Sequence, residues 1–456
     1  MADHMKNILT RTKGDKVIWG VVLLLSFISL LAVYSSTGSL AYRMEKNSGY
    51  YLAKQVMVLG LGLLIIYQVH KINYTRFARI AVVLYLLSLP LLVYTLFFGT
   101  SLNEGSRWIK LPVIHLTFQT SDLAKLALFM FLARVLSMKQ NVIKDFRKGF
   151  VPVLLPMLIT CLLIAPANMS TALMLGFTCS ILFFIGRVHI KHLMLMAAAG
   201  LICLSVVFTI SKLTGFGRAS TWEQRIKDFA GGKKKDGKHQ DVYQVEQAKI
   251  AIANGGITGR GPGQSLQKNF LPHPYSDFIF SIIIEEYGLV GGGIVVLLYL
   301  LFLWRSVLIF KRCPFAFGAF LAVGLSITLV FQAMLNMAVN VHLVPVTGLT
   351  LPMISMGGSS IWFTSIAIGI VLSVSKYVDE MEGERKNAAK NAALVKEDSE
   401  LVPVIPTDEG PITGAAAAGL SNASRLLVAE AVVEKKEGKK PRVKVAQIKL
   451  DPQEDD

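Results

Sequence analysis

The stretch LPHPYSDFIFSIIIEEYGLVGGG, Leu271 to Gly293, begins as a water-facing turn and becomes a hydrophobic helix, yet it carries Asp277, Glu285 and Glu286. Carboxylates at membrane depth are costly and are candidates for function by default. On one helix Glu285 would stand about 80° round from Asp277 and about 12 Å further along, with Glu286 almost opposite. A glycosidase-type carboxylate pair needs roughly 5–9.5 Å, so Asp277 would act without a second acid from this helix. Spacing alone leaves two readings of Asp277 open: a reacting carboxylate, or a helix cap that satisfies free N–H groups and suits the dipole. Glu285 and Glu286 must face a bundle interior or a polar cavity, where a structural hydrogen-bonding role suits them.

Two further polar clusters fall near the same end of the spans. In NEGSRWIKL and FQTSDLAK, residues 103–125, Arg107 and Trp108 sit in a loop while Asp122 and Lys125 open a helix. Three residues apart, Asp122 and Lys125 share a face and can pair. In NMAVNVHLVPVTGLTLPMISMGGSS, residues 336–360, Asn336 and Asn340 share a face before prolines and glycines break the helical pattern. Irregular backbone at that depth is tolerated only where it is buried in protein or lines a cavity. The sequence has no Walker A motif and no GxSxG, HExxH or CxxC, so nothing suggests ATP hydrolysis or those hydrolase and metal chemistries. The GRGPG cluster at 259–263 has no preceding strand and is weak as a nucleotide site.

The elements that would hold these residues are membrane helices. Of 456 residues 53% are hydrophobic and 17% charged, with a mean hydropathy of +0.52; soluble proteins run closer to a quarter charged. Apolar runs of about 20 residues recur and predict an all-α polytopic protein of ten spans. They fall at 18–35, 51–69, 77–98, 122–138, 149–166, 170–186, 189–211, 277–303, 315–338 and 350–375. The first run reads as an anchor, not a cleaved signal. Basic residues favour the even-numbered connections (Lys71, Arg76, Arg79; Lys139, Lys144, Arg147, Lys148; Arg187, Lys191; Arg305, Lys311, Arg312). Positive-inside asymmetry then puts both termini in the cytoplasm, with 1–17 as an inner N-terminal segment and 212–276 as one large extracytoplasmic loop between spans seven and eight. Residues 376–456, rich in Ala, Lys and Glu, read as a disordered cytoplasmic tail. The same topology accounts for the net charge of +17, so no nucleic-acid partner is implied. Cys161, Cys179, Cys203 and Cys313 have no metal-like spacing and read as packing residues.

Over residues 15–376 the chain resembles the SEDS family of shape, elongation, division and sporulation proteins. The likeness lies in GSRWIKL, FQTSDLAK, YQVEQAKIAIANGGITGRGPGQSLQKNFLPHPYSDFIFSIIIEEYGLVGGG and PVTGLTLPMISMGGSS with the preceding Asn336. It implies an inner-membrane peptidoglycan glycosyltransferase that uses lipid II and the growing glycan strand. It also implies a class B penicillin-binding protein as the crosslinking partner, with divisome membrane proteins nearby. The family's essential acid lands on Asp277, its loop arginine on Arg107, its lysine on Lys125 and its glutamine on Gln119. Asp122, Arg225, Asn336 and Ser359 complete the candidate substrate-binding set.

Three positions depart from the family pattern. FQTSD stands for FQPSE, NMST places Asn168 where an acid is usual, and Met356 replaces a common tyrosine. No family role is therefore carried over to Asn168 or Met356.

An inverting transfer needs one base for the acceptor hydroxyl and no enzyme nucleophile, so Asp277 is the expected general base. Arg107 and Lys125 would grip the diphosphate. A divalent cation, Mg or Mn, could share that load, and no residue is assigned as its ligand. The rival readings are a lipid II flippase and a scaffold for the transpeptidase. Transporter sites usually lie at the midplane, whereas these clusters gather near one face. The long tail leans the reading towards a septal, FtsW-like role over a RodA-like one.

Overall fold

The computed structural model describes residues 13–38, 40, 48–102, 105–110, 117–214, 219–229 and 240–401. The chain divides into one compact unit up to Asn387 and a second from Ala388; of the second, only the helical stretch to Leu401 is described.

Long apolar runs become helices because a backbone in lipid must satisfy its own hydrogen bonds. In chain order these are α1 (Lys16–Ser36), α2 (Ser48–Lys71), α3 (Tyr74–Phe98), α4 (Thr120–Lys139), α5 (Val151–Ile164), α6 (Met169–Ile185) and α7 (Ile190–Thr214). Two short helices follow, α8 (Ala219–Phe229) and α9 (Gln240–Gly255), then α10 (Ile279–Arg312), α11 (Ala316–Asn340) and α12 (Gly358–Leu401). Local side chains set several starts. Asp15 accepts from the N–H groups of Val17 and Ile18, Asn73 from that of Thr75, and Asn168 from that of Thr171. Asn168, where the family pattern expects an acid, is thus an N-cap.

Among the described residues eight helices are long and apolar enough to cross a membrane, α5 counting from Phe146 with the π-helical turn before it, so the chain is a multi-pass membrane protein. Two of the ten expected spans miss that standard. Helix α6 has 17 residues, about 25 Å of rise. Helix α4 contains Asp122, Lys125 and Arg134 and is largely buried, which lets it hold charges that lipid would not tolerate. The most apolar 18-residue stretches of α11 and α12 are mostly buried, 78% and 72%, whereas only 6% of that of α7 is.

Several expectations need correction. The fold is not purely helical, because β1 (Thr100–Leu102), β2 (Gly105–Lys110) and β3 (Thr117–Gln119) form an antiparallel sheet in the order β1-β2-β3. Trp108 pairs with Gln119 and Lys110 with Thr117, so Arg107 and Trp108 lie on a strand and not in a loop. The tenth helix does not start at 350: residues 350–357 are turns, and α12 begins at Gly358, since Pro352 lacks an N–H for a helix. Nor does it stop at 375, because the Ala-, Lys- and Glu-rich sequence beyond favours helix as far as Leu401. The expected loop 212–276 holds α8 and α9, and its glycine- and lysine-rich middle lies outside the described residues.

Helix α10 is two helices joined at Gly288, whose φ of 69° and ψ of −172° break the spiral. The loop after α9 repairs the break. Arg260 N–H donates to the Glu285 carbonyl (2.9 Å) and Gly261 N–H to that of Glu286 (3.0 Å); the freed N–H of Leu289 donates to Gly256 O (3.0 Å) and that of Val290 to Ile257 O (3.3 Å). Gly259 of the GRGPG cluster therefore serves close backbone approach, a Cβ there falling 2.2 Å from Glu286 O.

Candidate active site

The expected site residues fall into two groups joined by one irregular turn. In the first, the Asp122 carboxylate and Lys125 ammonium are 2.8 Å apart, with side chains 6% and 11% exposed. Lys125 also donates to Gln332 Oε1 at 3.0 Å. They line a cavity of about 40 Å³ with Gln332, Phe363 and Thr364. That space suits a water better than a diphosphate. Among the described residues no donor reaches Asp122 Oδ2. Nearby, Ser359 Oγ accepts from the Gln119 N–H (3.1 Å), and the Gln119 amide donates to Ser121 (2.9 Å).

A buried pair of this kind stabilises little as a pair, but breaking it strands a charge. Lys125→Met alone is expected to destabilise the protein by about 3–5 kcal/mol, and Asp122→Asn added to it should recover most of the loss. Thermal unfolding of the single and double variants measures this; a double variant as weak as the single would contradict the pairing.

The second group centres on Asp277. The capping reading fails: the N-cap of α10 is Phe278, with no side-chain cap hydrogen bond. Half-buried Asp277 accepts from the Ser276 hydroxyl at 2.9 Å, and among the described residues no cation pairs with its carboxylate. Its main-chain carbonyl is gripped by the amides of Asn336 (2.9 Å) and Asn340 (2.9 Å). Ser355 Oγ donates to Ser276 O (2.6 Å) and Met356 N–H to Tyr275 O (2.9 Å).

The turn 349–356 links the groups. Asn336 donates to Leu349 O (2.7 Å), Gln332 to Thr350 O (2.9 Å), Tyr299 to Pro352 O and Ser29 to Ile354 O (2.8 Å). Side chains thus satisfy carbonyls that a helix would have satisfied itself, as irregular backbone in an apolar setting requires. Met353 sits there with a φ of 64°, a conformation costing about 1–3 kcal/mol that only such surroundings sustain.

Gln332, Asn336 and Asn340 recur every fourth residue and make one polar stripe down α11. That period is visible in the sequence, where Asn336 and Asn340 already share a face, yet only Asn336 joined the expected site; Gln332, Ser276 and Ser355 were missed. Arg225, on α8, donates to Val346 O at 3.0 Å and helps to fasten that helix to the segment after α11. Beside it His342 meets the Phe229 ring edge-on, with centroids 5.1 Å apart. Burial, with help from the Lys249 ammonium, pushes its imidazole pKa down. Arg107 keeps its place on β2, next to the strand that runs into Gln119.

Glu285 and Glu286 are in the interior, 0% and 1% exposed. Glu285 accepts from the Leu266 N–H (3.1 Å), the Gln267 N–H (3.3 Å) and the Ser265 hydroxyl; Glu286 accepts from Ser35 and from Ser265 N–H (3.4 Å). Both acids tie the loop after α9 to α10, away from Asp277. Among the described residues no group of three His, Cys, Asp or Glu side chains comes together as a metal site.

A multi-pass helical bundle whose Asp277 carboxylate has no cationic partner among the described residues, on a turn linked through 349–356 to a buried ion pair, defines a class of membrane protein. Residues 15–380 match the family model described as "Cell cycle protein", that of FtsW, RodA and SpoVE, and the chain belongs to that family. It is 33% identical to stage V sporulation protein E of Bacillus subtilis (strain 168) over 80% of this chain and 98% of that protein. It is 31% identical to the "probable peptidoglycan glycosyltransferase FtsW" of Geobacter sulfurreducens (strain DL-1 / KN400), over 81% of this chain and 97% of the other. Among solved structures it resembles a chain of a peptidoglycan synthase complex studied for the coordination of polymerization and crosslinking. That likeness has a TM-score of 0.61 and 26% identity, covering 80% of this chain and 98% of that one.

Proposed function

We propose that this chain polymerises lipid II into glycan strands by inverting glycosyl transfer. The observation that carries the reading is Asp277: a carboxylate with no cationic partner among the described residues, on a turn whose backbone is held from beneath. Asp277 takes the proton from the acceptor 4-hydroxyl as that oxygen bonds to the anomeric carbon. The bond to the diphosphate breaks with inversion, and the undecaprenyl diphosphate leaves as an anion.

Lys125 is committed to Asp122 and Gln332, so the direct grip on the diphosphate falls to Arg107, which can fork to phosphate oxygens. Lys125 supplies buried positive charge below. Gln119 and Ser359, hydrogen-bonded to each other beside this pair, and Arg225 would add further contacts to the substrate. Mg or Mn, if used, would be held chiefly by the substrate diphosphate, as that hard cation prefers.

We further infer ten crossings, α4 and α6 joining the eight apolar helices, with both termini in the cytoplasm of a bacterial inner membrane. The partner would be a class B penicillin-binding protein among divisome membrane proteins, since a related fold occurs in a synthase complex that couples polymerization to crosslinking. A septal role is the preferred one, as in the FtsW relative. Depletion should therefore make cells filament; rounding would support the elongation role instead.

A liposome assay tests the enzyme against its rivals. Polymer made from lipid II already at the outer face is the expected result. Translocation without polymer would mean a flippase, and neither a scaffold.

A further inference from the structure

We propose that Asn340 is a positioning residue for Asp277, acting through the Asp277 carbonyl and braced by Ser281. This rests on the reading of Asp277 as the general base.

Three consecutive carbonyls, Tyr275, Ser276 and Asp277, each accept a hydrogen bond from the 355–356 turn or from α11. A carbonyl oxygen has two lone pairs, and at Asp277 two amides occupy them, Asn336 and Asn340, each at 2.9 Å. That fixes the peptide plane leaving Asp277 and with it the direction of its Cβ. The remaining freedom is side-chain rotation, which Ser276 restrains through its 2.9 Å bond.

The completely buried Asn340 cannot turn its amide over. Its Oδ1 accepts from the Ser281 N–H (3.0 Å) and hydroxyl (2.5 Å), and a backbone N–H can only donate. The amide nitrogen is thereby directed to Asp277 O and to Asn336 O (2.8 Å). Ser281 is the third residue of α10, one of the first-turn positions whose N–H groups lack α-helical partners. Asn340 therefore caps α10 from a different helix. The sequence offers Asp277 for that task, and Asn340 relieves it. Phe278, Ile282 and Val339 pack together around this clamp, and in dry surroundings its hydrogen bonds are stronger and costlier to lose.

The test uses the purified full-length chain with lipid II, and its partner if polymerisation requires one. Asn340→Ala is expected to lower kcat about 10- to 100-fold, the scale of a reacting group displaced by about 1 Å. KM should stay within about twofold, and the acid limb of the pH–rate profile should move. Ser281→Ala, which removes only the hydroxyl brace, should lower kcat about fivefold at an unchanged melting temperature. Added to Asn340→Ala it should cost nothing more, because it acts through that amide. Should Asn340→Ala not fold, the Ser281→Ala kcat decides. Wild-type kcat and pH profile in the folded variants, with Asp277→Asn inactive, overturn the positioning role and leave the base standing. An active Asp277→Asn overturns both.

Discussion

Asp277→Ala and Asp277→Asn are expected to lower polymerisation about 10³-fold, within the range a positioned general base contributes. Stability should change by no more than about 0.5 kcal/mol. The two halves of this result follow from different bonds. The carboxylate makes one local hydrogen bond, to Ser276, so little of the fold depends on it. The fastening of the turn runs through the main-chain carbonyl, which every substitution preserves. Asparagine keeps the shape and removes the basic oxygen, which separates chemistry from packing. The measurements are glycan yield from lipid II and a melting curve on the same preparation. A variant that polymerises at the wild-type rate would falsify the assignment, and one that loses activity by unfolding would return Asp277 to a structural role.

The second large effect is one of stability and is expected at Gly288. Its φ of 69° and ψ of −172° lie in a region essentially reserved for glycine. A Cβ there would stand 2.1 Å from the Ile257 carbonyl oxygen and 2.5 Å from the Gly259 nitrogen. Both are backbone atoms, so no side chain can turn aside to admit it. Gly259 meets α10 equally closely, its Cβ falling 2.2 Å from Glu286 O. Gly288→Ala should therefore cost more than about 4 kcal/mol, the exceptional range for one substitution, by separating the loop from the helix break it repairs. Activity should fall with it, because the same helix begins next to Asp277. Gly293→Ala is the control: nothing lies within 4 Å of its Cβ, and alanine in a helix interior gains up to about 1 kcal/mol over glycine. Equal melting temperatures for the two variants would rule the latch out.

The sequence alone made the membrane helices legible, because lipid leaves a backbone few ways to satisfy its polar groups and so writes itself as apolar runs of fixed length. It also made Asp122 and Lys125 legible as a pair, since three residues on a helix is a fixed geometry. It isolated Asp277 from Glu285 and Glu286 in the same way. The three strands around Arg107 escaped, being short and drawn together by pairing between separated segments. So did the start of α12, where the segment 349–357 stays irregular because Ser29, Tyr299, Gln332 and Asn336 reach it from other helices.

Whether Asp277 was cap or reacting group could not be read from its neighbours along the chain, because either use suits a carboxylate at a helix start. Tertiary structure decided that the capping task went to Asn340, 63 residues away. It also decided that Lys125, paired with Asp122 by spacing, is tied to Gln332 as well, beside a small cavity. Local sequence fixes period, depth and the presence of charge; which partner satisfies each polar group depends on helices brought together across the bundle, and that assignment left the Asp277 carboxylate clear of the helix start.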